Sequence, residues 1–214
     1  MSFMNEVLHH NIPIWDACVS TPFIQELQSG VLPLKKFENY MIQDSIYLKN
    51  YARIYGKAIY HSDNLRDIQT YYSILNFVND TESVVRIRYL KQFGITDEDI
   101  ENVEPLPEGR KYIDFMFDIA ERGNIPEILM AVFPCMISYS YVFRKIASGS
   151  KQSRYIDFIA DYAEDGYAKS CEQWCDFAEE KCKNLCEQEK IHLFNIFETG
   201  SYLELDFWKM AYME

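Results

Sequence analysis

Apolar residues recur at helical spacing through almost the whole of this chain, and little interrupts them. Its 214 residues include only eight glycines and seven prolines, the residues that most often stop a helix or force a turn. Alternating β-branched runs of the kind that mark strands are few. The chain is therefore expected to be all-α. The periodicity predicts helices over 3–19, 34–60, 64–93, 108–122, 125–148, 152–163, 166–184 and 186–213, with Gly200 a place where the last could break.

The breakers fall between these runs. Gly30-Val-Leu-Pro33 closes one segment and opens the next with proline near its first turn, and Thr96-Asp-Glu-Asp reads as a short capped helix after Gly94. Glu104-Pro-Leu-Pro-Glu-Gly109 is a loop, Asn124 is an N-cap with Pro126 close behind, and Gly149 stops the helix that follows. With no fixed-period repeat and no low-complexity stretch, residues 1–214 read as one helical domain.

Composition narrows the function classes. A hydrophobic share of 48% with 15% aromatics is enough for one large core. A net charge of −12 argues against a phosphate-binding surface, because affinity for nucleic acid comes mainly from clustered Lys and Arg. No apolar stretch is expected to reach the roughly 18 residues that span a bilayer, and the opening Met1-Ser-Phe-Met-Asn-Glu-Val has no basic region ahead of an apolar run. The expected location is the cytoplasm, with six cysteines held as reduced thiols rather than as a disulfide framework.

Two distant segments place a carboxylate among aromatics: Phe37-x-x-Tyr40-x-x-Gln43-Asp44-x-x-Tyr47-Leu48, and Leu203-Glu204-x-x-Phe207-Trp208. On helices, Tyr40, Asp44, Tyr47 and Tyr51 share one face, and Glu204 stands beside Phe207 and Trp208. Such a face suits a flat, polar heterocycle. The plainer alternative is that the tyrosines bury their rings and turn their hydroxyls to solvent. A third segment, Phe133-Pro134-Cys135-Met-Ile-Ser-Tyr139, sets a thiol behind a proline inside a helical run, with Tyr139 one turn later on the same side. Cys171, Cys175, Cys182 and Cys186 invite a metal reading, but on one continuous helix the first and last would lie roughly 22 Å apart, too far for one tetrahedral ion. They are expected to be reduced thiols on a partly buried face, and no metal is expected.

Taken together, Trp15, Pro22-Phe23, the Phe37 to Leu48 stretch, Pro134-Cys135 with Tyr139, Tyr155 with Tyr162, and Phe197 through Leu203-Glu204 to Phe207-Trp208 resemble the thiaminase II family, the TenA-like aminopyrimidine aminohydrolases, in order and spacing over nearly the whole chain. The resemblance implies a haem-oxygenase-like helical bundle, commonly tetrameric. It also implies a cofactor-free hydrolase acting on an aminopyrimidine or on thiamin. By the same resemblance Cys135 is the nucleophile, which places the chain in the cysteine-containing branch. Asp44 and Tyr139 contact the aminopyrimidine, Tyr47 lines its face, Tyr112 sits near the thiol, Tyr162 hydrogen-bonds a ring nitrogen, and Glu204 moves protons. Phe158 stands where many relatives carry Trp. Such a fold can also host haem or a di-iron centre, but the four histidines, His9, His10, His61 and His192, are expected to be ordinary surface or core residues.

The chemistry agrees with that reading. A 4-aminopyrimidine bearing an amine on its 5-methylene resists direct displacement, whereas a thiolate adding at ring carbon C6 lets the ring expel the amine, after which water takes its place. The ring must be made electrophilic and the departing amine must be protonated, which two carboxyls on separate helices can divide between them. A competing reading, a pyrimidine-binding or regulatory protein without turnover, would have no use for the Cys135 thiol.

Overall fold

The computed structural model describes residues 2–76 and 83–213, and every regular element among them is helical. Eleven α-helices are described: α1 (Phe3–Val19), α2 (Pro22–Ser29), α3 (Leu34–Tyr60), α4 (Leu65–Asn76), α5 (Ser83–Phe93), α6 (Asp97–Glu101), α7 (Pro107–Arg122), α8 (Ile125–Ile146), α9 (Ile156–Ala163), α10 (Asp165–Cys182) and α11 (Glu187–Met213). Of the helix expected over 64–93, the two ends are α4 and α5, and residues 77–82 lie outside the described residues. Helix α2 was not among the expected runs. Its eight residues run from Pro22 to Ser29 and are capped by Gly30, whose φ of 77° is left-handed.

Local capping explains several boundaries. Thr96 and Asp99 form a reciprocal capping box for α6, and Asn124 and Glu127 do the same for α8. Each pairs side chain and backbone at the start of the helix, where four N–H groups would otherwise lack partners.

The core is α8, packed chiefly along α11, with α1, α7, α9 and α10 against its other sides and α3 closing over α7 and α11. Nearly every residue of α8 from Ile128 to Ser140 is buried, which corrects one expectation. By length and composition Ile125–Gly149 is apolar enough to cross a membrane, yet 78% of its most apolar stretch is covered by neighbouring helices. A helix buried on all sides needs no polar face, so its hydropathy reports its place in the core.

The expected break near Gly200 is not observed, and α11 runs through it unbroken. A side chain there would put Cβ 2.6 Å from Pro134 Cγ of α8, well inside contact distance. Gly200 is thus the surface into which the Pro134 ring fits, and this close approach sets α11 directly against the turn of α8 that carries Cys135.

Candidate active site

Four helices meet around one narrow, tightly closed slot. Asp44 and Tyr47 reach it from α3, Tyr112 from α7, Cys135 and Tyr139 from α8, and Glu204 and Phe207 from α11. Six of the seven site residues expected from sequence thus line a single space. Tyr162 does not line it. Its ring stands behind Tyr139, edge-on at 5.0 Å between centroids, and packs against Phe143 and Phe158. Phe207 was given no role, although its position one turn after Glu204 on the same helix face could have signalled one.

The walls are aromatic and closely packed. Tyr47 lies 4.9 Å from Tyr112 and 5.9 Å from Phe207 between ring centroids. Tyr139 shares a 2.8 Å hydrogen bond with Tyr40, buried behind it, and Tyr40 stacks on Trp208. Such pairs fix ring orientation at little entropic cost, because their rotamers are locked by neighbours on every side. Tyr51, the fourth member of the α3 face, does not reach the space and donates instead to the Val132 carbonyl at 3.2 Å.

Two carboxyls face this apolar box. Glu204 is 2% exposed and Asp44 is 4% exposed. Burial, which penalises the charged form, pushes Glu204 up to about 8. The nearby Asp44 charge adds to the rise, while hydrogen bonds from the Tyr112 hydroxyl and the Cys135 thiol oppose it. Burial likewise lifts Asp44 to about 7, against the pull of the Arg86 guanidinium. The tyrosines around them are all shifted upward, chiefly by burial, so they remain neutral donors.

One polar atom on these walls is left over. Asp44 Oδ2 is buried without a hydrogen-bond partner among the described residues, whereas the Tyr112 hydroxyl lies against Glu204 and Tyr47. Buried polar atoms are seldom orphaned, so this oxygen is the acceptor on the wall that is open to a donor.

Among the described residues no three His, Cys, Asp or Glu side chains gather as a metal site. The pairs Glu6-x-x-His9 and Glu189-x-x-His192 have the spacing used in di-iron bundles, but all four histidines are exposed on the outside of the fold. Cys171 and Cys182 are buried on α10, Cys175 is half-buried, and Cys186 is exposed beyond the end of that helix.

Comparison with known proteins follows this geometry. An aminopyrimidine aminohydrolase of Halalkalibacterium halodurans is 32% identical over all of this chain and 97% of its own length. A solved TenA homologue from P. horikoshii OT3 superposes with a TM-score of 0.89 at 26% identity, covering 100% of this chain and 99% of that one. A domain of Shewanella denitrificans OS217 with a haem-oxygenase-like fold superposes at 0.74 and 17% identity, covering 98% and 91%, a likeness of fold alone. The profile of the TENA/THI-4/PQQC family matches residues 10–214, and the chain belongs to that family.

Proposed function

We propose that this chain hydrolyses the bond between the 5-methylene of a 4-aminopyrimidine and its amine, with Cys135 as nucleophile and Glu204 as the proton carrier. Its class, a hydrolase acting on carbon–nitrogen bonds, rests on the aminopyrimidine aminohydrolase that matches it end to end. The observation that carries the finer reading is the thiol hydrogen-bonded to a carboxyl of raised proton affinity, facing an orphaned Asp44 oxygen across an aromatic slot.

The steps follow from those groups. Ionised Glu204 accepts the Cys135 thiol proton, and burial, by raising this carboxyl to about 8, makes it a stronger base than an exposed carboxylate. Cys135 Sγ then bonds to ring carbon C6, and the displaced electron pair enters the ring. That pair expels the nitrogen from the 5-methylene as the C–N bond breaks, and Glu204 delivers the same proton to it, releasing ammonia. The adduct is a neutral ring with an exocyclic methylene. Water adds there and gives a proton to Glu204. The electron pair returns through the ring, the S–C bond breaks, and the thiolate recovers its proton. Asp44 accepts hydrogen bonds from the exocyclic amine, and the Tyr47, Tyr112, Tyr139 and Phe207 rings hold the heterocycle flat and keep bulk water out. Tyr162 is read as supporting Tyr139 from behind.

No step needs a metal or cofactor. The physiological setting we propose is recovery of the pyrimidine half of degraded thiamin in the cytoplasm by a homotetramer. Turnover of the aminomethyl pyrimidine, followed by ammonia release, beside cleavage of thiamin on one preparation tests the reading. Binding of either compound with no product from either would favour a non-catalytic binder.

A further inference from the structure

We propose that Arg86 is a positioning residue for this reaction: anchored to α3 through Ser45, its guanidinium holds neighbouring Asp44 in the carboxylate form that accepts the substrate's exocyclic amine. The inference rests on the reading of Asp44 given above and extends it to a residue outside the cavity.

The anchor is explicit. Arg86, half-buried on α5, donates from Nη1 to Ser45 Oγ at 2.7 Å. The Ser45 hydroxyl spends its own proton on the Met41 carbonyl, also at 2.7 Å, so its lone pairs are free to receive the guanidinium. Ser45 is the residue after Asp44 and is itself buried. A cation is thereby fixed to the turn of α3 that presents the carboxyl.

The surroundings otherwise disfavour the charge. Facing Asp44 are Tyr47 on its own helix, Tyr112 from α7, Cys135 and Tyr139 from α8, and Glu204 from α11, all neutral or acidic. Lys49 on α3 turns outward to Glu101 of α6 at 2.7 Å, and on α4 Asp67 is held by Lys181. Burial raises Asp44 and the Arg86 charge lowers it, leaving it near 7. A carboxyl poised there is ionised in a large share of molecules at neutral pH. Without Arg86 it would be mostly the neutral acid, whose O–H opposes the N–H of the substrate amine.

The test reads Asp44 directly. Protein labelled with 13C at aspartate carboxyls gives an Asp44 resonance identified by its loss in Asp44→Asn, and its titration midpoint is followed by NMR. In Arg86→Met the midpoint should rise by about half a pH unit or more, as expected when a nearby opposite charge is removed. Arg86→Lys should restore most of the wild-type value, and Ser45→Ala, which frees the anchor, should give an intermediate rise. The acid limb of kcat/KM should move upward with the midpoint. An unmoved midpoint in folded Arg86→Met overturns the proposal. If that variant does not fold, an unmoved midpoint in Ser45→Ala does so. Failure of the hydrolase reading shows separately, as absence of ammonia release in the wild type.

Discussion

Pro134 of α8 occupies the place where a side chain at Gly200 of α11 would stand, with its Cγ 2.6 Å from the position of a Cβ there. One residue on is Cys135, and one helical turn on is Glu204, so this single close approach brings thiol and carboxyl together.

Gly200→Ala should therefore do two things. Adding a methyl to this contact overpacks it, at a cost of about 1–3 kcal/mol seen as a lower melting temperature. It also moves Glu204 away from Cys135, so kcat should fall roughly 10-fold or more, beyond what partial unfolding explains. A loss of stability with kcat unchanged at a temperature where the variant is fully folded would show that the contact does not align the site.

How much of this was legible in the sequence depends on range. Caps are local, so Thr96 and Asn124 announced α6 and α8 correctly. The acid and aromatic face of α3 was legible because helical spacing alone puts Asp44 and Tyr47 on one side. Gly200 was misleading: glycine marks either a break or a close approach, and choosing between them needs the partner helix, which lies 66 positions away at Pro134. The same limit hid Tyr162 behind Tyr139, since spacing along α9 says nothing about which layer of rings meets the ligand.

The buried carboxyls make stability depend on pH in a stated direction. Glu204 near 8 and Asp44 near 7 hold protons in the folded chain that they release near 4 when unfolded. Between about pH 4 and 8 the folded state binds more protons, so raising the pH destabilises it, with the full penalty present above pH 8. Glu204→Gln removes one such group. Its gain in stability over the wild type should be small at pH 5 and grow to on the order of 2 kcal/mol or more at pH 9. Chemical denaturation at both pH values measures it, and a gain independent of pH would contradict the assignment.

The two carboxyls should separate in kinetics. An acceptor that orients the substrate acts before and during the reaction, so Asp44→Asn should raise KM and lower kcat. Glu204→Gln should chiefly lower kcat, by roughly 10²–10⁴, the usual worth of general acid–base catalysis. The limb on which the wild-type rate rises with pH as Glu204 ionises, near pH 8, should be absent in Glu204→Gln and retained in Asp44→Asn. A limb that survives both changes would reassign the proton carrier.

The central claim is that Cys135 does the bond-making, and its most direct test is ammonia release from 4-amino-5-aminomethyl-2-methylpyrimidine by Cys135→Ser beside the wild type. The serine variant should bind the pyrimidine with little change while kcat drops at least ~10³-fold, because a hydroxyl lacking a strong base is a far weaker nucleophile than a thiolate. Cys171→Ser, with its thiol turned to the Met136 carbonyl rather than to the cavity, serves as the control and should turn over normally. Near-normal ammonia release by Cys135→Ser would contradict covalent catalysis at this site.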